Sequence, residues 1–269
     1  MLSNLSTQIS QLVENAGGEW GIYLEDLHTG EKLTFQEHQR FYAASVIKVP
    51  IMTAVFAEAY AGNIALEQTI KLRREDLVGG AGVLQHMTPG TELTVQDLVT
   101  LMIIQSDNTA TNIMIDLVGT ESIRNAMKKT EMVNSQFYNK LMVVPAELEG
   151  YNEITAADMG AHFRYLATGK VLSYDSCLKM MAILKQQQHR DRIPKHFPDP
   201  DGDFIGMVPK WEFANKTGSV TKITHDTGIL FMGSHAVTIC LLNKGLEQKP
   251  AADVMAEIGR LVYDLYQQA

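Results

Sequence analysis

Strand-like alternation occurs near the two ends of this chain, and a long helical stretch separates them. GIYLEDLHTGEKLTF (21–35) alternates apolar and polar residues on both sides of His28-Thr29-Gly30, which predicts a hairpin. FANKTGSV (213–220), GILFMG (228–233) and AVTICLL (236–242) predict three more short strands joined by turns. A strand far from its partners in sequence must still be paired, so the two ends are expected to meet in one antiparallel sheet.

The intervening chain carries helical spacing. Ser45 to Tyr60 reads as a helix ended by Gly62, and Thr94, Asn108 and Thr120 each precede a periodic run as a cap would. Residues 155–168 and 173–188 add two amphipathic helices, and 5–15 and 250–267 supply one at each terminus. The expected fold is α/β (α+β): an antiparallel sheet flanked by the terminal helices, plus an all-helical lobe. One domain of 1–269 is expected, with an α/β lobe of 1–44 and 190–269 and a helical lobe of 45–189.

Composition narrows the function classes. The 31 acidic against 23 basic residues leave a formal charge of −8, which argues against nucleic acid or an anionic membrane as the main partner. No stretch reaches the roughly 18 uncharged apolar residues of a membrane span. The start, MLSNLSTQISQLVENAGG, lacks a basic-then-apolar leader pattern. As written, the chain is expected in the cytoplasm; an exported mature chain with its signal removed would read the same way. The two cysteines, Cys177 and Cys240, are expected to be small buried hydrophobes. The eight histidines form neither His-x-His nor His-Glu-x-x-His, so no metal and no cofactor is assigned.

Three short motifs carry chemistry. Ser45-Val46-Ile47-Lys48 places an amine one helical turn from a hydroxyl at a helix start. A desolvated lysine there can accept a proton; the plainer reading of Ser45 is a helix cap, and Ser176–Lys179 and Ser219–Lys222 match the same spacing. Ser106-Asp107-Asn108 offers a proton relay, a loop-fixing carboxylate and an amide for a substrate carbonyl, or else simply caps the next helix. Lys216-Thr217-Gly218-Ser219 offers a fixed charge, a hydroxyl, room for a ligand at Gly218 and an N–H at Ser219, or else an ordinary strand with a glycine bulge. Ser-x-x-Lys, Ser-Asp-Asn and Lys-Thr-Gly in this order, on a helix start, between helices and on a strand, form the set shared by class A β-lactamases and penicillin-binding proteins.

FYAASVIKVPIM, GVLQHMTPGTELTVQDLVTLMIIQSDNTATN and KTGSVTKITHDTGI carry the likeness beyond those letters, and from about residue 19 onward the chain resembles the class A β-lactamases. The resemblance implies Ser45 as acylated nucleophile and Lys48 and Ser106 as proton carriers. It also implies Asn108, Lys216, Thr217 and Ser219 as substrate contacts, with the N–H groups of Ser45 and Ser219 as oxyanion hole. The family activates its deacylating water with a glutamate, usually in Glu-x-Glu-Leu-Asn, where this chain reads VVPAELEGYNEITAADM. Glu147 is the candidate base, with Glu149 and Glu153 as rivals and three solvated carboxylates as the plain alternative. The implied partner is a small β-lactam or an acyl-D-Ala-D-Ala-like molecule, acted on by a monomer. A D-alanyl peptidase or slow esterase, and a non-catalytic peptidoglycan- or ligand-binding module, are the competing readings. His225-Asp226, just past the Lys-Thr-Gly strand, is expected in a turn or supporting role.

Overall fold

The computed structural model describes residues 1–142, 150–201 and 204–267. Among them lie α1 (Ser6–Ala16), β1 (Glu19–Asp26), β2 (Lys32–Phe35), β3 (Phe41–Tyr42), α2 (Lys48–Tyr60), β4 (Thr69–Lys71), β5 (Glu92–Thr94), α3 (Val95–Ile104) and α4 (Asn108–Lys129). There follow β6 (Glu153–Ile154), α5 (Ala156–Ala167), α6 (Tyr174–Lys185), β7 (Glu212–Val220), β8 (Ile223–Met232), β9 (His235–Lys244) and α7 (Gln248–Gln267). The ends do meet. The main sheet runs β2-β1-β9-β8-β7, antiparallel throughout, with Ile22 opposite Leu241 where the first hairpin joins the last.

Burial on both faces of this sheet explains its composition. Ile22, Leu24, Phe213, Leu230, Ile239 and Leu241 pack under α1 and α7, while Tyr23, Ala214, Ile229, Cys240 and Leu242 face the helical middle. Each fully buried large aliphatic or aromatic side chain contributes about 1.5–3 kcal/mol. The terminal helix α7 supplies a stripe at helical spacing, with Ala251, Met255, Ile258, Val262, Tyr263 and Tyr266 buried. In the middle, α3 starts at a reciprocal cap: Thr94 Oγ1 accepts from Asp97 N–H at 3.0 Å, and an Asp97 oxygen accepts from Thr94 N–H at 3.1 Å. Cys177 and Cys240 are both buried and unbridged.

Several expectations shift. The helix predicted from Ser45 begins as a 3₁₀ turn, Ala44–Ile47, and turns α-helical at Lys48. Pro50 has no N–H to give the Val46 carbonyl, so the first turn tightens instead. The cap expected at Asn108 is Asp107, whose Oδ1 accepts from Ala110 N–H at 2.9 Å, and the break near Thr120 falls at Gly119, at φ 76°. His225 and Asp226 lie inside β8 rather than in a turn. Polar letters hid the first half of that strand, residues 223–227, although His225, Asp226 and Thr227 are fully buried. The short pairs β3–β6 and β4–β5 were too brief to show periodicity.

Candidate active site

Ser45 sits half-buried in the 3₁₀ turn, pressed against the outer strand of the main sheet. A Cβ on Gly218 would stand 3.0 Å from Ser45 N and 3.1 Å from Val46 N, so only glycine lets β7 approach this closely without displacing backbone. Ala44, at φ 44°, holds the left-handed conformation that swings the chain from β3 into the turn.

Lys48 and Lys216, from opposite ends of the chain, converge on one hydroxyl. Lys48 Nζ and Lys216 Nζ each donate to Ser106 Oγ at 3.1 Å. Lys48 Nζ also donates to Ser106 O at 2.6 Å and to Asn108 Oδ1 at 2.9 Å, and Lys216 Nζ donates to Thr217 O at 2.7 Å. None of these bonds goes to Ser45. Both lysines are fully buried. Burial pulls Lys48 down to about 7, partly opposed by the charge of Asp107. Burial likewise pulls Lys216 well below the usual lysine range, helped by the positive charges of Lys48 and Arg192. Once either amine loses its proton, Ser106 can turn from acceptor to donor, so its hydroxyl links two proton carriers.

The loop that presents Ser106 is fixed by Asp107. Its Oδ2 accepts from Val83 N–H at 2.7 Å and Leu84 N–H at 2.8 Å. Gly82, at φ 102°, has no room for a Cβ, which would fall 2.3 Å from the Asp107 carboxyl. Asn108 donates from Nδ2 to Gly79 O at 3.1 Å. Ser106 itself holds φ 54°, a strained backbone for serine that these contacts enforce.

By strand alternation Thr217 and Ser219 belong to the face of β7 opposite Lys216 and Gly218. There lies a residue that sequence reasoning missed. Arg192, buried, donates from Nη1 to Gly218 O at 3.0 Å and also to His225 O, and from Nη2 to Ser219 Oγ at 3.3 Å. In the sequence His-Arg-Asp-Arg reads as a solvated loop, and no local pattern marks one arginine for burial. Asp226 balances it: burial raises this carboxyl to about 6, while Arg192 and bonds from Asn215 Nδ2 (2.7 Å) and Ile193 N–H (3.2 Å) oppose the rise. His225 is neutral and structural, since Nδ1 accepts from Asn243 N–H at 3.3 Å and leaves Nε2 to donate to Tyr42 O at 2.9 Å. Burial lowers it to about 4.

Glu147 and Glu149 lie outside the described residues. The chain on either side of them is anchored by three asparagines. Asn112 exchanges two bonds with the Leu141 backbone, both 2.8 Å; Asn139 Nδ2 donates to Gly150 O at 2.6 Å; Asn152 Oδ1 accepts from Tyr138 N–H at 2.7 Å. Asn152 O in turn accepts from Ala43 N–H at 2.8 Å, two residues before Ser45. Glu153 is in β6, opposite Tyr42.

A hydroxyl on a tight turn, two buried lysines sharing a serine and an outer strand against the Ser45 N–H form an arrangement suited to serine acyl transfer. Comparison with known proteins agrees: residues 4–266 match the pattern described as "Beta-lactamase enzyme family", and the chain belongs to that family. Beta-lactamase L2 of Stenotrophomonas maltophilia is 24% identical over 95% of this chain and 84% of its own length. Among solved structures, the beta-lactamase from Sphaerobacter thermophilus superposes with a TM-score of 0.90 at 31% identity, over 100% of this chain and 99% of that one. PBP-A superposes with 0.86 at 26% identity, over 100% and 97%. Among the described residues no helix is long and apolar enough to cross a membrane.

Proposed function

We propose that this protein opens the β-lactam amide by forming an ester on Ser45 and then releases the product by hydrolysis. The observation that carries the reading is the convergence of Lys48 and Lys216 on Ser106, with the Ser45 turn held against Gly218. Neutral Lys48 draws the proton from Ser45 as its oxygen attacks the carbonyl carbon. That proton passes through Ser106 to the ring nitrogen as the amide bond breaks, and Lys216 keeps Ser106 oriented for the transfer. The N–H groups of Ser45 and Ser219 hold the carbonyl oxygen as it gains charge, and the substrate carboxylate is received at the open edge of β7, where Lys216 from one face and Thr217 and Ser219 from the other can reach it. Asn108, tied to Lys48 and to Gly79 O, keeps one Nδ2 proton for a substrate carbonyl. Glu147 activates the water of the second step, with Glu149 and Glu153 as the alternatives.

A chromogenic cephalosporin tests the activity: wild type turns it over, and Ser45→Ala reduces turnover to background. Turnover that survives Ser45→Ala overturns the proposal. A second reading, a penicillin-binding protein that acylates and releases slowly, is favoured by the likeness to PBP-A, of which a mutant was captured as an acyl-enzyme with penicillin G. Stoichiometric labelling of Ser45 by penicillin without turnover selects it.

A further inference from the structure

A recess of about 610 Å³ opens on the helical side of the molecule, between the end of α4 and residues 132–138, lined by none of the residues assigned above to the Ser45 site. Its volume falls within the roughly 300–1,000 Å³ typical of small-molecule sites. The two halves of its lining differ in character. Met127, Met132 and Phe137 form its buried floor, and Val133, 76% exposed, and the half-buried Tyr138 ring present its apolar surface. Arg124 and Lys128 add two positive charges one helical turn apart on α4.

Those charges are placed where they repel each other, because residues four apart share a helix face. Neither has an ion-pair partner among the described residues, in a chain whose net charge is −8. Arg124 donates from Nε to Phe137 O at 2.9 Å, and its guanidinium lies 5.5 Å from the Tyr138 ring centre. These contacts leave the guanidinium's outer N–H groups available, while fixing its position. The remaining wall is also held from behind. Gln136 exchanges backbone bonds of 2.8 and 2.9 Å with Glu153, and Tyr138 N–H donates to Asn152 Oδ1 at 2.7 Å. A recess already in shape loses little freedom when it binds.

We propose that this recess is a second ligand site, for an amphipathic organic anion whose charged head pairs with Arg124 and Lys128 and whose apolar body covers Val133 and the Tyr138 ring. The proposal is independent of the chemistry at Ser45. Fluorescence titration with 8-anilinonaphthalene-1-sulfonate tests it, using wild-type protein, Lys128→Glu and the Arg124→Gln/Lys128→Glu double variant. Wild type is expected to bind one dye molecule. Lys128→Glu weakens binding about tenfold and the double variant removes it, as expected when charge-assisted contacts are lost. The neutral analogue N-phenyl-1-naphthylamine binds at least about tenfold more weakly than the sulfonate, for the same reason. Equal binding of the neutral analogue, or dye affinity unchanged in Lys128→Glu, overturns the proposal. Lys128 is exposed, so its replacement leaves the fold in place, and an unchanged melting curve checks this. Should the double variant melt early because the Phe137 contact is lost, the single variant and the neutral dye still decide.

Discussion

Two fully buried, titratable centres involve α2, one through Lys48 and one through Thr53, and they behave differently. His162, in α5, is enclosed by threonines, with Nε2 2.9 Å from Thr53 Oγ1 and Nδ1 2.8 Å from Thr130 Oγ1. Thr130 already donates to Ala126 O at 2.9 Å, so Nδ1–H donates to it, and Thr53 donates to Nε2. Burial lowers His162 to about 3, and the ring stays neutral with every polar atom matched. Lys48 is as deeply buried, yet its partner Ser106 is shared with a second lysine, and Lys48 itself sits three residues past the half-buried Ser45. Burial and a displaced pKa are common to both. A site additionally needs a group that can change partners, and only the lysine pair has one.

That contrast predicts separable losses. The largest follows Lys48→Ala, which removes the proposed proton acceptor: acylation by penicillin, followed by stopped flow, should slow by about 10²–10⁴-fold, the usual share of general base catalysis. An effect under threefold would put Lys48 in the same structural class as His162.

The pH profile comes next. Because the lysine's folded value is lowered to about 7, its neutral fraction grows as pH rises. Acylation should climb about tenfold per unit below pH 7 and level off above it. The same shift means the unfolded chain binds that proton more tightly, so this lysine's contribution makes the fold more stable as pH rises from about 7 toward 10.5. A flat acylation profile between pH 5 and 8 would remove Lys48 as the base.

Gly218→Ala is a smaller disturbance. The added methyl meets backbone at 3.0 Å and must push the Ser45 turn away from β7. Acylation should fall about tenfold, within the 10²-fold that a 1 Å misplacement can cost. Thermal unfolding and acylation measured on one preparation tell displacement from collapse.

His162→Ala should do the reverse. Lost hydrogen bonds and a cavity in the helical core cost about 2–5 kcal/mol in urea unfolding, while acylation by the folded fraction stays within about twofold. A large loss of acylation in folded protein would dissolve the distinction between the two centres.

Much of this was readable in the sequence, for physical reasons. The sheet was readable because short apolar runs bounded by turn residues mark strands, and the three motifs are compact enough to be seen as letters. Asp107 was read correctly as the residue that fixes its loop, since a carboxylate between two helices has backbone N–H groups within reach. The buried polar layer stayed hidden. His225, Asp226 and Arg192 find their hydrogen-bond partners in distant backbone and side-chain groups, and each alone looks like a solvated residue. The asparagine clasp of Asn112, Asn139 and Asn152 joins segments up to 29 positions apart, so no local window contains it. The 3₁₀ start at Ser45 was legible in Pro50, had its missing N–H been followed back to Val46.

Intact-mass spectrometry of the protein mixed with benzylpenicillin, sampled from seconds to hours and followed by peptide mapping, tests the central claim most directly. The account predicts one added penicilloyl group, mapped to Ser45, followed by return to the starting mass. Unmodified protein throughout, or an adduct on any other residue, would contradict it.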